Sequence, residues 1–403
     1  MPQQIDDFKL SLLISEHVPE PDWVSFSPAD WELIVQQARG RGVASLLYWR
    51  LTQTGRIKLL PEPLVNSLRA AYHSVRMQNG QVIKETETLT RLFDQAEIPT
   101  VALKGICFLL TIYPDIGLRP MADLDLLVPA SNLSEAVRIA GSSGYMEAVP
   151  EASPGLENLL NHAVCLQKKD PPFTVLELHH SLVADRSFIY AVPVDWFWGQ
   201  LEPMIASPEG IKIDHLRMLT PTAQVLYASA HVMLQHGSRN SSLRWYYDLD
   251  CLVRTYADRM DWELLLFQAQ AFEWNSAVAA ALFQTAAFFD TPVPQKVLDD
   301  LSKHPDRSAR RVEDLQNQPA THTLEEARKL RSLDGYGRFR LILALIAPSP
   351  AYMRWRYGLK TSLALPAYYL FRWWGIFGDA LRTVLHLART DRHTDERAPW
   401  NPS

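Results

Sequence analysis

Two carboxylates stand two positions apart inside an apolar run, Asp123-Leu124-Asp125-Leu126, and upstream of them another apolar run ends in Lys104-Gly105. In an extended strand, side chains at i and i+2 lie on one face, so Asp123 and Asp125 share a face while Leu124 and Leu126 face the core. Paired carboxylates of this kind hold one or two Mg²⁺ ions, which bind the attacking and leaving oxygens of a phosphoryl displacement. The pattern predicts a strand that supports metal-dependent phosphate chemistry.

A change of hydrophobic period divides the chain. Residues 22–96 show apolar residues at helical spacing, and helical spacing returns after Thr220-Pro221. Between these stretches lie short apolar and β-branched runs that we interpret as strands, at Ile98–Leu103, Leu124–Val128, Ala163–Gln167 and Thr174–His179. We therefore expect an α+β fold, in which a small mixed β-sheet core lies between N-terminal and C-terminal helical segments.

The length of 403 residues favours more than one structural unit. We expect four segments along the chain. They are an N-terminal helical segment at 1–96, an α/β core at 97–215, a C-terminal helical domain at 216–390 and a disordered tail at 391–403.

Composition excludes several classes of protein. The three cysteines are far apart and form no C-x-x-C pair, which argues against a disulfide framework and against a zinc knuckle. The first ten residues lack the basic and apolar regions of a secretory signal. The late apolar stretch Leu363–Leu381 is interrupted by Pro366, Arg372 and Asp379, so we expect no transmembrane segment. These features favour a cytoplasmic protein.

Charge is unevenly distributed. The whole chain has a formal net charge of −5, but residues 301–403 contain 17 Lys and Arg against 10 Asp and Glu. This asymmetry predicts that the basic C-terminal part meets an anionic partner or a protein partner, such as the acidic N-terminal part. A solvated basic helical surface is the alternative interpretation.

A metal site at Asp123 and Asp125 needs a third oxygen ligand. Glu177 is the best candidate because it lies between apolar residues in a predicted strand, where an unpaired charge is costly. The alternative is structural: the two aspartates cap a loop or pair with Arg119, and Glu177 faces solvent from an edge strand.

Several motifs follow one another along most of residues 25–380. They are Leu103-Lys104-Gly105, Tyr113-Pro114-Asp115, Arg119-Pro120, Asp123 to Val128, Glu177-Leu178-His179, Leu219-Thr220-Pro221, His231, His236, and Leu243-Arg244-Trp245 with Asp248. In this combination the chain resembles the uncharacterised nucleotidyltransferase family of the polymerase-beta-like nucleotidyltransferase superfamily. The Lys-Gly, Arg and Asp-x-Asp motifs also resemble abortive-infection nucleotidyltransferase toxins.

This resemblance implies a nucleotidyltransferase core and a set of site residues. Asp123 and Asp125 match the metal-binding pair, Glu177 matches the third acid, and Gly105 matches the glycine of the turn that receives the nucleotide phosphates. Helix N-termini favour phosphate on physical grounds as well. We expect Lys104 to face the phosphates as a cation. Arg119 is expected either to contact phosphate or to fix the carboxylates.

The remaining candidates lie on the substrate side. His179 shares the parity of Glu177 along its strand and is expected to border the site. His231, Arg244 and Asp248 match the helical segments that shape the acceptor side in the resembled family, although an Arg244–Asp248 ion pair at i, i+4 explains two of them equally well. His231 and His236 are five residues apart, which does not match the i, i+4 spacing of helical zinc sites.

The sequence therefore predicts an enzyme with Asp123, Asp125 and Glu177 as catalytic and metal-binding residues. It would use Mg²⁺ or Mn²⁺ to transfer a nucleoside monophosphate from a nucleoside triphosphate to an unidentified small molecule, peptide, protein or RNA. Ile106 departs from the resembled pattern, where a second Gly or a Ser is usual. The alternative is therefore a catalytically inactive nucleotide- or partner-binding accessory protein of a biosynthetic pathway.

Overall fold

The computed structural model describes residues 7–19, 21–147, 149–153, 161–168, 175–183, 194–236, 242–317 and 335–378. The predicted disordered tail at 391–403 and the first residue of the predicted strand Thr174–His179 lie outside these residues. The chain divides into two compact units. The first comprises Met1–Glu147 with His162–Gln318, and the second comprises Ala148–Asn161 with Pro319–Ser403. The predicted segments 1–96 and 97–215 thus lie mainly in one unit, which also includes the chain from 216 to 318.

The N-terminal part of the first unit is helical, as predicted. Its helices are α1 Asp7–Ile14, α2 Pro28–Gly40, α3 Ala44–Gln53 and α4 Glu62–Gln95, with single 3₁₀ turns at Trp23–Ser25 and Arg56–Leu59. The start of α2 shows why the local sequence is helical. The side chain of Ser27 accepts from the backbone N–H of Asp30, the Asp30 carboxylate accepts from the backbone N–H of Ser27, and Pro28 occupies the first turn.

One mixed sheet of seven strands follows. The strands are β1 Thr100–Ala102, β2 Leu124–Leu127, β3 Tyr145–Glu147, β4 Ala163–Lys168, β5 Val175–His179, β6 Leu201–Pro203 and β7 Leu216–Leu219. Their order is β3-β4-β5-β2-β1-β7-β6, with β2–β5 and β1–β7 parallel and the other neighbours antiparallel. Leu124, Leu126, Leu176 and Leu178 are fully buried, which places β2 and β5 in the core. The α+β fold is confirmed.

Helices α5 Lys104–Thr111, α6 Leu133–Ser142 and α7 Val194–Trp198 connect the strands, and a 3₁₀ turn at Ala130–Asn132 precedes α6. The strands predicted at Ile98–Leu103, Leu124–Val128 and Ala163–Gln167 correspond to β1, β2 and β4, and the structure agrees with the fourth from Val175 onward. Strands β3, β6 and β7 were not predicted from the sequence. Each has only three or four residues, too few to show an alternating pattern. Strand β7 also lies beyond the predicted end of the core at residue 215.

Helices complete the first unit after the sheet. They are α8 Pro221–Ala230, a π-helix His231–His236, α9 Leu243–Thr255, α10 Trp262–Ala271, α11 Asn275–Phe289, α12 Gln295–Lys303 and α13 Arg307–Asn317, with a 3₁₀ turn at Ala257–Arg259. The predicted helical character of this region is confirmed. The π-helix is an exception to the predicted α-helical geometry, and it lies at the candidate site.

The second unit is small and helical where it is described. It contains α14 Gly335–Ile346, α15 Pro350–Tyr357, a 3₁₀ turn at Ser362–Ala364 and helical residues 365–378. Ser349 caps α15 by accepting from the backbone N–H of Tyr352, and its hydroxyl donates to the carbonyl of Glu151. Within the part of the chain that the structure describes, no helix has the length and apolar character needed to cross a membrane.

Candidate active site

Three carboxylates meet where β2 and β5 lie side by side. The two strands run parallel, and their register places Asp125 next to Glu177. Asp123 lies just before β2, two residues ahead of Asp125, so it reaches the same face of the sheet. Carboxylate oxygens of Asp123, Asp125 and Glu177 all lie within 4.8 Å of one another. The structure thus brings together the three acids that the sequence analysis assigned to one metal site.

Two of these acids experience opposite electrostatic environments. Burial raises the pKa of Asp123 to about 6, and the charges of Asp125 and Glu177 add to this effect. Burial also opposes ionisation of Asp125, which is 3% exposed, but the Lys104 ammonium and a hydrogen bond from His179 hold its pKa well below its usual range. Asp123 therefore carries negative charge that its protein neighbours do not fully balance.

Lys104 and His179 bind Asp125 from the protein side. The Nζ atom of Lys104 lies 3.2 Å from Oδ1 of Asp125, and the lysine side chain is 10% exposed. The Nε2 atom of His179 lies 2.8 Å from the same oxygen and 3.4 Å from a carboxylate oxygen of Glu177. Burial favours the neutral imidazole, but these hydrogen bonds raise the pKa of His179. His179 is fully buried behind the acids. The predicted substrate-side position of His179 is therefore corrected to one that supports the acids.

Helix α5 begins beside the acids. Lys104 is its first residue and has a φ of 34°, in the left-handed region that non-glycine residues rarely adopt. A Cβ atom on the next residue, Gly105, would lie 3.2 Å from Nη1 of Arg119 and 3.3 Å from Sδ of Met121. The glycine therefore keeps space open at the start of the helix, where free N–H groups and the helix dipole favour an anion.

Arg119 is fixed by an acid outside the carboxylate group. Its Nε and Nη2 atoms donate to the two oxygens of Asp248 at 2.9 and 2.8 Å, and the Tyr113 hydroxyl donates to Asp248 at 2.7 Å. Of the two alternatives for Arg119, the structure therefore does not support the one in which it fixes Asp123 or Asp125, and contact with phosphate stays a prediction. The alternative of an Arg244–Asp248 pair is not supported either, because Arg244 donates to the backbone carbonyl of Pro120 at 2.6 Å and Asp248 binds Arg119 instead. Nη1 of Arg119 is left to face Gly105.

A cavity of about 150 Å³ lies over these groups. Its lining includes the three predicted nucleotide-binding residues, Lys104, Gly105 and Arg119, together with the acids Asp123 and Asp125. The other lining residues are Phe108, Met121, Ala122, Ala228, His231, Val232, His236, Arg244, Trp245 and Asp248. Three of the four predicted substrate-side residues thus border the cavity; His179 is absent from the lining.

The π-helix explains how His231 and His236 come together. Residues five apart share a face of a π-helix, whereas an α-helix brings together residues three or four apart. The two imidazole centroids lie 4.7 Å apart, and the His236 ring packs on the Trp245 ring at 4.5 Å. Burial lowers the pKa of both His231 and His236. Neutral imidazoles and an indole therefore form one wall of the cavity.

Two side chains at the site were not predicted. Tyr227 precedes His231 by four residues, and Nζ of Lys104 lies 5.7 Å from the centroid of its ring. The i, i+4 spacing from His231 was a usable signal for this residue. His162 forms a second group with Glu177 and His179 whose ligand atoms lie within 4.8 Å, and burial lowers the pKa of His162 to about 3. No sequence pattern marks His162, because it reaches the site only through the β4–β5 pairing.

Comparison with known proteins identifies one family. A family model described as "Uncharacterised nucleotidyltransferase" matches residues 27–290, more than half of the chain. The matched region contains the whole sheet, the carboxylate group and the residues that line the cavity. No curated protein and no solved structure matches the chain.

Proposed function

The chain belongs to the uncharacterised nucleotidyltransferase family, and from this premise we propose that it transfers a nucleoside monophosphate from a nucleoside triphosphate to an acceptor. The transfer would require a divalent cation, Mg²⁺ or Mn²⁺. The observation that carries the proposal is the convergence of Asp123, Asp125 and Glu177 beside the first turn of α5. Acids and a helix N-terminus in one cavity supply what a metal-bound triphosphate needs.

The side chains fit a hard divalent cation. Mg²⁺ and Mn²⁺ prefer carboxylate oxygens, and the three acids present such oxygens within 4.8 Å of one another. The raised pKa of Asp123, caused by burial and then by its acidic neighbours, indicates uncompensated negative charge at this point. Asp123, Asp125 and Glu177 would hold the ion, which when bound would stabilise the charge that develops on the phosphate oxygens.

Other residues of the chain would bind and orient the triphosphate. The backbone N–H groups at the start of α5 would donate to phosphate oxygens, and Gly105 would allow them to approach closely. Nη1 of Arg119 would contribute a fixed cation, because Asp248 holds the rest of the guanidinium in place. The wall formed by His236 and Trp245 offers a flat apolar surface on which a base or an aromatic acceptor would stack.

The proposed reaction is an in-line displacement at the α-phosphorus. The acceptor nucleophile forms a bond to this phosphorus, the bond to the bridging oxygen of the β-phosphate breaks, and pyrophosphate leaves. The acceptor's proton passes to one of the three carboxylates, which can accept it as a general base when ionised.

Labelled substrates test this proposal. The full chain is incubated with each α-labelled nucleoside triphosphate, with Mg²⁺ or Mn²⁺, and with protein, RNA and metabolite acceptors. We expect one triphosphate to yield a labelled acceptor and pyrophosphate in equal amounts, with no transfer by Glu177→Gln. Equal label transfer by Glu177→Gln and the wild type would contradict the proposed role of the carboxylates.

The ion pair between Lys104 and Asp125 favours a second candidate, a nucleotide-binding protein without turnover. The lysine ammonium, 3.2 Å from Asp125, already neutralises an acid that a metal would need. In that case Lys104→Met should increase the affinity for Mn²⁺, measured by its paramagnetic resonance signal, while the wild type binds Mn²⁺ weakly with or without nucleotide. Tight Mn²⁺ binding by the wild type with nucleotide would reject this candidate.

A further inference from the structure

The second unit displays an apolar surface that its own core does not explain. Of the 22 large hydrophobic residues that are exposed in the described chain, 13 lie within residues 335–378. In the same range only Leu341, Ala344, Met353 and Leu365 are buried hydrophobic residues. Large exposed apolar patches on soluble proteins usually mark a surface that meets a partner or a membrane.

The exposed side chains follow helical stripes. On α14, Tyr336, Phe339, Leu343 and Ile346 recur at spacings of three or four residues and are 68%, 64%, 47% and 50% exposed. In the helical residues 365–378 the exposed apolar side chains are more numerous and cover more than one face. There Leu370 and Trp374 are 62% and 79% exposed. Each helix therefore directs an apolar face outward.

Hydrogen bonds connect the two helices. The indole N–H of Trp373 donates to the carbonyl of Ile346, and Nε of Arg372 donates to the carbonyl of Leu345 at 3.1 Å. The Tyr369 hydroxyl donates to the carbonyl of Pro348. These contacts satisfy backbone carbonyls at and just beyond the end of α14 and hold the helix of residues 365–378 against that end. The exposed residues at the end of α14 and on the second helix are thus neighbours.

The charge of this segment has one sign. Residues 335–378 contain six Lys and Arg and no Asp or Glu. Arg354, Arg356 and Lys360 lie on or just after α15 and are exposed. Leu363 lies in the turn Ser362–Ala364 that follows, and at 92% it is the most exposed large apolar residue among those that the structure describes. Basic and apolar groups therefore occur together along the same segment.

We propose that the second unit docks on the surface of a lipid bilayer that contains anionic lipids. A bilayer interface offers both an apolar layer for Trp, Phe, Leu and Ile side chains and negative headgroups for Arg and Lys. Single-stranded nucleic acid would stack on the aromatic rings, but it offers no apolar partner for Leu363 or Leu370. The proposal does not depend on nucleotidyl transfer, since it concerns the second unit alone.

Vesicle sedimentation tests the proposal with the full chain. We expect the protein to sediment with vesicles of phosphatidylcholine and phosphatidylglycerol, less with vesicles of phosphatidylcholine alone, and less again at high salt. The double variant Arg356→Gln/Lys360→Gln should bind about 30-fold more weakly, because each basic residue near an anionic surface contributes about a fivefold factor. Leu370→Ser/Trp374→Ser should also lose binding.

Matched controls come from the first unit. Arg138→Gln/Lys212→Gln removes two side chains that are 68% and 63% exposed, and Phe267→Ser removes an aromatic ring that is 67% exposed. Both controls should bind like the wild type. The proposal is overturned if the wild type does not prefer anionic vesicles, or if the controls lose as much binding as the test variants. It is also overturned if the wild type does not bind vesicles and the test variants instead lose binding to an RNA oligonucleotide. The same holds if they instead lose a dimer that the wild type forms in sedimentation velocity.

Discussion

Asp123 and Asp125 are two residues apart but differ in what a substitution would do. Asp125 is buried against Lys104 and His179, so removing its charge would leave a buried ammonium with a weaker partner. Asp123 is partly exposed, and burial and its acidic neighbours raise its pKa to about 6. Asp123 is therefore the better position at which to separate function from stability.

We predict that Asp123→Asn stabilises the metal-free protein at neutral pH. The pKa of Asp123 is about 6 in the folded chain and 3.8 in the unfolded chain, so the folded chain binds the carboxyl proton more tightly. The free energy of unfolding therefore falls as the pH rises from about 4 to about 6. Asparagine should remove this loss, worth up to about 3 kcal/mol. Urea unfolding with EDTA measures the difference. Equal stabilisation below about pH 4, where both states bind the proton, would contradict this cause.

Asp248 should contribute strongly to stability. It accepts hydrogen bonds from Arg119 and from the Tyr113 hydroxyl, and both Arg119 and Asp248 are buried. We predict that Asp248→Asn lowers the free energy of unfolding by about 3 kcal/mol, because a buried guanidinium loses its counter-charge. Chemical unfolding should show this as a lower midpoint with an unchanged slope.

The matched control is Glu135→Gln, which breaks the exposed pair of Glu135 with Arg138. Exposed ion pairs contribute little, so this variant should unfold like the wild type. If Asp248→Asn and Glu135→Gln had the same free energy of unfolding, burial would not make the Arg119–Asp248 pair contribute more to stability than an exposed pair.

The three acids can be identified from the sequence, but not all of the residues around them. Asp123 and Asp125 are marked by their own spacing, and Glu177 by its apolar neighbours. For Arg119 the sequence suggested phosphate or the nearby carboxylates as partners, yet its side chain binds Asp248, which is distant in sequence. Such a pairing depends on how α9 packs against the sheet, and local spacing carries no information on it.

At the scale of elements, two short parallel strands, β2 and β5, and the first turn of helix α5 determine the geometry of the site. Strands β2 and β5 bring Glu177 to Asp125, and the turn from β1 into α5 brings Lys104 and Gly105 to the same place. Strands β2 and β5 could be predicted from their apolar runs, and α5 from Gly105 at the end of such a run. The π-helix His231–His236 could not, because a one-residue insertion in a helix changes which residues share a face without changing composition.

We predict that Gly105→Ala weakens nucleotide binding more than it changes the stability of the fold. The added methyl group would lie 3.2 Å from Nη1 of Arg119, in the space left for the phosphates, while alanine favours the helix by about 0.8–1.0 kcal/mol. Titration with a fluorescent triphosphate analogue should show at least about a tenfold loss of affinity, or about 1.4 kcal/mol.

Gly141→Ala is the control for this prediction. Gly141 lies in α6, and a Cβ there would meet no atom within 4 Å. It should gain the same helix propensity and keep nucleotide affinity. If Gly105→Ala also kept its affinity, the phosphates would not bind at the start of α5.

At the scale of the whole molecule, the chain separates into a unit with the candidate site and a unit with the exposed apolar surface. The second unit takes residues 148–161 from between β3 and β4 and joins them to the C-terminal part. Ser349 connects these two pieces through the carbonyl of Glu151. The local sequence does not predict this second unit, because the hydrogen bond between its two pieces joins residues almost two hundred positions apart.

We predict that a chain ending at residue 318 keeps the candidate site and loses vesicle binding. All residues that line the cavity precede this point. Thermal unfolding with Mg²⁺ and nucleoside triphosphate should show the same shift as in the full chain, because ligand binding to the folded state stabilises it. A truncated chain that folds but shows no such shift would mean that the second unit is required for the site.

Calorimetric titration with a non-hydrolysable nucleoside triphosphate analogue tests the central claim, that Asp123, Asp125 and Glu177 form a metal site for a triphosphate. The account predicts binding by the wild type in Mg²⁺, at least about tenfold weaker binding in EDTA, and a similar loss for Asp123→Asn in Mg²⁺. Binding that is equally tight in EDTA and in Mg²⁺, or equally tight for Asp123→Asn and the wild type, would contradict it.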